Sequence, residues 1–390
     1  SITVLHSANY MIRGHIIELK PNNVQANHLA RACGVARKAY NWALHEWQRQ
    51  YALDKAYRDA CLAAGVEVDT KNLNKPSQAK LRRELNAIKR ELFPYMLEVT
   101  KCAPQAAIMQ LGDAYNNFFK GLAKYPNARK KGRDDRFSLS NDQFAIKGKS
   151  IRIPNLGWVR LKEALRFDGK IMSATISKRG GKWFVSVAVE IQKAVIPTKK
   201  TGKSVGVDLG ITDLLVLSDG TKIKAQKPLQ KLRTLNKALS RTKKGSKNRE
   251  KAKTKLSRLH YKIRCIRQDS LHQITTSLVN EFDVIAIEDL NVKGMVKNRR
   301  LSRAISDLGF FEFKRQLIYK ATEQGKVVKS VGPFYPSSKT CSNCNHILGK
   351  DELILKMREW LCPNCQVSHD RDLNASINIL NNATVILTAA

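Results

Sequence analysis

The chain has 390 residues, 43% hydrophobic and 26% charged, a globular composition long enough for two or three domains. Its 70 Lys and Arg against 33 Asp and Glu leave +37 at pH 7, a self-repulsion most readily borne beside a polyanion, so nucleic acid is the expected partner. No apolar run approaches the ~18 residues of a membrane span and no basic region leads into an apolar signal core, which argues against membrane and secreted classes and for an intracellular protein.

After ten residues without pattern, "MIRGHIIELKPN" (11–22) reads as a short strand closed by Pro21-Asn22. From Val24 the period turns helical. Leu29, Cys33, Ala36, Tyr40, Leu44, Trp47 and Tyr51 recur at three and four, a stripe we read as core. Further helical stretches cover about 78–92 and 104–123, so residues 24–125 are expected to form a helical domain. "YPNARKKGRDDRF" (125–137) ends it with a basic cluster containing Lys130 and Lys131. "SATISKRGGKWFVSVAVEI" (173–191) reads as two alternating strands about a Gly180-Gly181 turn. The N-terminal strand is expected to pair with this region. Residues 1–23 and 126–198 then make one small β-barrel into which the helical domain is inserted. "VIPTKKTGKS" (195–204) reads as a linker.

Beyond it, "SVGVDLG" predicts a strand and "LLVLSDGTKIK" two more about Asp219-Gly220. A long basic helical stretch follows, from about 228 to 281. "DVIAIEDL" (283–290) is a buried strand, "LGFFEFKRQLIYKATEQG" (308–325) a helix, "KVVKSVGP" (326–333) a strand and "RDLNASINILNN" (371–382) a helix. Three strands, helix, strand, helix, strand, helix is the element order of an RNase H-like α/β domain. It spans 199–334 and 369–390, with a cysteine segment, 335–368, inserted before the last helix.

Three acids fall at corresponding places in that order. Asp208 ends the first apolar strand, Glu288 ends the central strand and Asp372 opens the last helix. An acid that terminates an apolar run is costly unless its charge is used. In an RNase H-like sheet the first and fourth strands are adjacent, so the three carboxylates can converge. Divalent cations remove their repulsion: two Mg²⁺ or Mn²⁺ ions ~3.5–4 Å apart would serve phosphodiester hydrolysis. No Ser/His/Asp arrangement competes. Asp289 and Asp370 are neighbouring acids, and Asp370 is the alternative to Asp372 or a cap of the helix.

Of eight cysteines, Cys33, Cys61, Cys102 and Cys265 are scattered, as small core residues in a reducing compartment would be. Cys341/Cys344 and Cys362/Cys365 form two CxxC pairs seventeen residues apart, the signature of one structural Zn²⁺, with His346 and His369 as spare ligands. We expect this clip to fix the approach to Asp372. The stretch 241–264 carries eleven Lys and Arg, among them Arg241, Lys243, Lys244, Lys251 and Lys255, and a single acid, Glu250. Leu256, Leu259, Ile263 and Ile266 give it one docking stripe, so the cations are expected to project toward nucleic-acid backbone, as are Arg299 and Arg300.

Together these residues resemble the TnpB family, transposon-encoded relatives of type V CRISPR effectors. The strings that carry the resemblance are "GVDLGITD" (206–213), "IAIEDLNVKGM" (285–295), "NRRLSRAISDLGF" (298–310), "YPSSKTCSNC" (335–344), "WLCPNC" (360–365) and "HDRDLNASINI" (369–379), in family order through the C-terminal half. "ARKAYNWAL" (36–44) and "TKCAPQAAIMQLGDAYNNFFKG" (100–121) agree more loosely, and Ala128 stands where the family usually has a bulky residue. The resemblance implies a multidomain α+β protein: a helical recognition domain inserted in a wedge barrel, then a RuvC-like nuclease domain with a four-cysteine zinc finger. It implies an RNA-guided DNA endonuclease of the prokaryotic cytosol or nucleoid, one protein per RNA, with Asp208, Glu288 and Asp372 on the family's metal-binding triad. It implies further a guide RNA from the transposon end (ωRNA) and duplex DNA bearing a short adjacent motif. That motif would be read by Lys101 and Gln105 of the K-x-A-x-Q string, whose side chains suit base edges. A guided binder without cleavage and an unguided RuvC-like nuclease are the alternatives; the first predicts a broken triad, and the second leaves the first two hundred residues without a use.

Overall fold

The computed structural model describes residues 10–192, 200–210, 213–224, 231–289, 309–332, 335–349, 352–353 and 357–388. The chain divides into two compact units, Ser1–Ala194 and Val195–Ala390. Among the described residues no helix is long and apolar enough to cross a membrane.

The first unit opens with strand β1 (Tyr10–Lys20). Helix α1 (Asn23–Ala63) follows at once, because Asn22 caps it: the Asn22 side chain accepts from the Gln25 N–H and the Gln25 side chain accepts from the Asn22 N–H. Helices α2 (Gln78–Leu92) and α3 (Cys102–Phe119) complete the helical layer. Six further strands come next: β2 (Arg136–Ser140), β3 (Ala145–Lys147), β4 (Ser150–Ile153), β5 (Gly157–Leu161), β6 (Lys170–Arg179) and β7 (Lys182–Gln192). β6 and β7 are the expected hairpin about Gly180-Gly181, and both glycines have the positive φ that such a turn demands. β1 pairs with β7 from Tyr10 opposite Gln192 to Leu19 opposite Trp183.

The expected barrel does not close. The strands form one open antiparallel sheet, β2-β6-β7-β1-β5-β4-β3, with β2 and β3 as its two edges. Helices do the covering instead. Ile17, Leu161 and Val185 of the sheet share one buried cluster with Leu29 and Ala36 of α1, Leu81 of α2 and Leu111 of α3. With its apolar face covered this way, the sheet has no need to curl onto itself.

In the second unit, β8 (Ser204–Leu209), β9 (Asp213–Leu217), β10 (Lys222–Lys224), β11 (Val284–Glu288) and β12 (Val327–Val331) make a sheet in the order β10-β9-β8-β11-β12. β9 runs antiparallel to β8, while β11 is parallel to both β8 and β12. The first and fourth strands are therefore neighbours. The basic stretch after β10 is two helices rather than one, α4 (Lys231–Ser240) and α5 (Lys247–Glu281). Gly245 with its positive φ breaks it, Ser246 caps α5, and Arg249 holds the bend by donating to the carbonyls of Leu239 and Thr242.

Side chains alternate across the strands and sort the helices. Val205 and Val207 of β8 and Ile285 and Ile287 of β11 face α5 and helix α6 (Phe310–Glu323), packing with Leu278, Phe313 and Leu317. The opposite face carries Gly206 and Ala286, against which the last helix, α7 (Arg371–Thr388), is laid. A Cβ at Gly206 would lie 1.9 Å from the carbonyl oxygen of Ser376, so helix and strand meet backbone to backbone.

Replacing Gly206 with Ala should therefore lower the unfolding midpoint of the second unit, by an amount equivalent to about 1–3 kcal/mol of overpacking. Gly14→Ala in β1, whose added Cβ meets nothing within 4 Å, should leave the first unit's midpoint unchanged. Equal midpoints for Gly206→Ala and wild type in differential scanning calorimetry would contradict the close approach of α7 to β8.

Candidate active site and metal centre

The parity of β8 and β11 decides where the acids point. Asp208 is two residues beyond Gly206 and Glu288 two beyond Ala286, so each continues the face that carries α7. Gly206 and Ala286 are partners in the parallel ladder, which brings Asp208 and Glu288 up one step beyond its last pair. Asp372 lies in the first turn of α7, one turn ahead of the Ser376 that rests on Gly206. All three are half-buried. Burial first, then the charges of Asp372 and Glu288, push the Asp208 carboxyl up to about 7. Burial likewise raises Glu288.

Neither Asp208 nor Glu288 makes an ion pair with a described residue, and Asp372 is paired with Arg358, Nη1 to Oδ2 3.0 Å. The three acids do not draw within the 4.8 Å that encloses the cysteine ligand atoms. Three half-buried carboxylates, two of them without an ion pair to a described residue and all of them hard oxygen donors, are a donor set that fits Mg²⁺ or Mn²⁺.

The two rival acids are occupied. Asp289 alternates to the other face, where Lys314 of α6 pairs with it at 2.6 Å. Asp370 caps α7, accepting from the N–H groups of Asp372 and Leu373 at 3.1 and 3.0 Å, and it pairs with Lys222 at 2.6 Å.

Among the described residues, Cys341, Cys344, Cys362 and Cys365 are the one group of three or more potential ligands gathered for a metal, with all ligand atoms within 4.8 Å of one another. Cys341 and Cys365 sulfurs are 3.6 Å apart, as are those of Cys344 and Cys362. Tetrahedral zinc with bonds of about 2.3 Å asks for about 3.7–3.8 Å, so the thiols fit Zn²⁺. The two knuckles repeat one turn. Asn345 and Gln366, each directly after its second cysteine, take positive φ and donate their N–H to the carbonyls of Cys341 and Cys362. Cys341 and Cys362 in turn donate to the carbonyls of His346 and Val367. The amide of Asn364 leads in pulling the half-buried Cys344 thiol down to about 6, toward the thiolate a metal requires, while burial pushes its neighbour Cys341 up to about 12.

His369 lies beside the four-cysteine group rather than within it. It is buried, its Nε2 is 3.0 Å from Cys341 Sγ, and its ring packs on Trp360, opposite it in the two-stranded sheet of β13 (Glu359–Leu361) and β14 (Ser368–Asp370). That ladder ends at Asp370, where α7 begins. Two buried asparagines on α7 bind the other side of the clip. Asn374 and Asn378 donate to the Thr340 carbonyl at 2.7 and 2.6 Å, Asn378 also to Ser337, and Asn374 accepts from the Ser342 N–H. Sequence reasoning missed both, although two asparagines four apart inside an apolar helix are a signal, since Asn is a poor helix former unless its amide is used.

Lys101 precedes α3 and Gln105 lies one turn into it; both line a cleft of ≈ 120 Å³ with Arg82, Asn86 and Lys89 of α2. Lys130 and Lys131 lie exposed on the turn before β2. Arg241, Lys243 and Lys244 are exposed at the α4–α5 bend, and Lys251 and Lys255 on α5. Arg299 and Arg300 lie outside the described residues.

The purified chain should carry about one zinc by elemental analysis, and Cys362→Ser should lose it together with part of the second unit's thermal stability. His369→Phe should keep the metal but bind it about 10–100-fold more weakly. Full zinc content in the serine variant would remove the site.

Three family models match the chain: "Probable transposase" over 185–299, "Cas12f1-like, TNB domain" over 310–379 and "Helix-turn-helix domain" over 11–56. The residues matched by the last are β1 and part of the single helix α1. A Streptomyces pristinaespiralis protein named "Putative RNA-guided DNA endonuclease" is 35% identical over 92% of this chain and 86% of its own. "Putative RNA-guided DNA endonuclease InsQ" of Escherichia coli (strain K12) is 30% identical over 93% of this chain and 90% of its own. "TnpB-like protein L79" of Acanthamoeba polyphaga mimivirus is 29% identical over 46% of this chain and 37% of its own. A solved Cas12f1-sgRNA-target DNA complex aligns over 95% of this chain and 99% of that one at 14% identity, with a TM-score of 0.32, a likeness on which nothing is rested. On the identity to its full-length relatives, the chain belongs to the TnpB family.

Proposed function

We propose that this chain is an RNA-guided, divalent-metal-dependent DNA endonuclease that takes a transposon-end guide RNA (ωRNA) and cuts duplex DNA beside a short motif. The observation that carries the reading is the placing of Asp208, Glu288 and Asp372 on one side of a single sheet, half-buried and of one sign. The strand order β10-β9-β8-β11-β12 supports an RNase H-like, RuvC-type domain for the second unit. The names of the full-length relatives support RNA and DNA as partners. The cysteine clip is read as one structural Zn²⁺ on four cysteines.

Two Mg²⁺ or Mn²⁺ ions on the three acids would supply activation of a water and stabilisation of the leaving 3′ oxygen. The chain's own residues do the rest. Asp208 and Glu288 are held by the ladder, Asp372 by the helix pressed on Gly206. Arg358 sets a guanidinium 3.0 Å from Asp372, where it can take the non-bridging oxygens of a scissile phosphate. The exposed cations of α5 and its bend suit a sequence-blind grip on guide or heteroduplex backbone, and Lys101 and Gln105, in a concave and basic setting, suit motif readout. Residues 24–125 would be the recognition domain, 1–23 and 126–198 the wedge, 199–334 and 369–390 the nuclease and 335–368 the zinc finger. One protein per RNA, in a prokaryotic cytosol or nucleoid, completes the proposal. A guided binder has no use for three acids turned to one side of the sheet.

With the RNA that copurifies, Asp208→Asn, Glu288→Gln or Asp372→Asn should each lower cleavage of matched DNA by about 100-fold or more while RNA and DNA binding persist. EDTA should abolish cleavage and Mg²⁺ restore it. Wild-type rates from any of the three variants would refute the triad. Lys101→Ala with Gln105→Ala should remove motif-dependent cleavage and leave guide binding intact; unchanged motif preference in a randomised-flank cleavage assay would take both residues off the reading.

A further inference from the structure

The turn that leaves the helical layer of the first unit holds a feature that the nuclease chemistry does not use. Residues 125–136 read "YPNARKKGRDDR", a composition expected of a solvated basic loop. Arg129 is not solvated: it is 8% exposed. Its backbone is clamped by Asn41 of α1, whose Oδ1 accepts the Arg129 N–H at 2.8 Å and whose Nδ2 donates to the Arg129 carbonyl at 3.0 Å. Its guanidinium lies 3.9 Å from the centre of the Tyr40 ring and donates to Gln110 Oε1 at 2.7 Å.

A guanidinium so buried ordinarily faces a carboxylate. Arg129 makes no ion pair with a described residue; of the two acids that follow it, Asp134 acts on it only through its charge and Asp135 is paired elsewhere. Asp134 accepts from the Lys130 N–H; Asp135 pairs with Arg37 at 2.9 Å and accepts from the Gly132 N–H. Burial first, then the neighbouring charge of Arg136, holds Arg129 down to about 10, so it is still a cation at neutral pH. Gln110 takes one of its five N–H donors. Beside it opens a cleft of ≈ 540 Å³, whose lining adds Lys130, Arg133 and Arg136 against one acid, Asp134. That is the size of a small-ligand pocket, with room for a phosphate and its flanking sugar.

We propose that this cleft seats one phosphodiester group of a bound nucleic-acid strand, with Arg129 as its fixed donor and Lys130, Arg133 and Arg136 gripping the strand at the rim. The proposal rests on the nucleic-acid reading above and adds a fixed point to it. A backbone phosphate carries no sequence information, so the cleft sets the register of the strand rather than reading bases. Tyr40 and Gln110 hold the guanidinium plane in place before the strand arrives, which favours Arg over Lys here.

The test uses the full chain freed of copurifying nucleic acid. Labelled mixed-sequence probes of about 20 nucleotides, as single-stranded RNA, single-stranded DNA and duplex DNA, are titrated by fluorescence anisotropy at several salt concentrations. Arg129→Gln should weaken binding of at least one probe by about tenfold and flatten its slope of log Kd against log salt by about 0.7–0.9, one phosphate's worth. Arg129→Lys should restore most of the slope, and Lys71→Gln, an exposed lysine outside the cleft, should leave it unchanged. Which probe responds names the source of the phosphate. Unchanged slopes for all three would overturn the cleft while leaving the nuclease reading, judged by Asp208→Asn cleavage, where it was. A wild-type chain that binds none of the probes would overturn both. Should Arg129→Gln not fold by circular dichroism, Arg133→Gln combined with Arg136→Gln must flatten the slope, and unchanged slopes there overturn the proposal.

Discussion

Acids of one sign cannot be gathered at one side of a sheet unless the elements that carry them are pressed together by something stronger than their repulsion. In the second unit that constraint is the contact of α7 with β8 at Gly206, where any side chain would collide with the Ser376 carbonyl. Ala286, the neighbour of Gly206 in the ladder, keeps the same floor low under Ile379 and Ala383. The apolar burial of the helix sets the distance, and the acids one step beyond this floor take what it imposes. The Asp208 carboxyl, pushed up by burial first and then by the charges of Asp372 and Glu288, reflects that imposition, while Glu288 is raised by burial alone.

The cysteine clip belongs to the same constraint. A segment of about thirty residues is too short to hold a core without a staple. Its cluster is Leu348, Leu353, Trp360 and the cysteines themselves. What the clip provides is direction. His369 faces inward to the Cys341 sulfur, the next residue in β14 caps α7, and two residues later comes Asp372. Asn374 and Asn378 tie the same helix back to residues 337–342. The last acid is thus located twice, by the strand under its helix and by the clip around the helix start.

Much of this could be read from the chain and some could not, for physical reasons. Asp208 and Glu288 stood out because an acid at the end of an apolar run is anomalous within a few residues. The cysteines stood out because their spacing is local. Gly206 did not, because a glycine in a strand shows its purpose only when the helix from residue 371 onward is laid across it. The break between α4 and α5 was hidden because Gly245 lies among lysines that continue a helical composition, and the Arg249 side chain that holds the bend acts across the turn. The barrel was misjudged because alternation along a strand reports that one face is buried without saying what buries it. Here α1 and α3 do, and β2 and β3 stay apart as edges.

Net charge is the loudest property of the sequence and the least selective. Several of the 70 cations are committed to partners within the fold. Arg37 is paired with Asp135, Lys314 with Asp289 and Lys222 with Asp370; Lys320 donates to His272, Thr275 and Thr276 between α6 and α5. Others, such as Lys251 and Lys255, project from α5 into water, where each contributes little individually and weakens with salt. Arg129 belongs to neither group, being more deeply buried than any of the first and, like the second, without an ion pair to a described residue. A charge that the fold encloses without neutralising is a stronger pointer to an anionic partner than any number of exposed lysines, because only the partner can recover the cost of enclosing it.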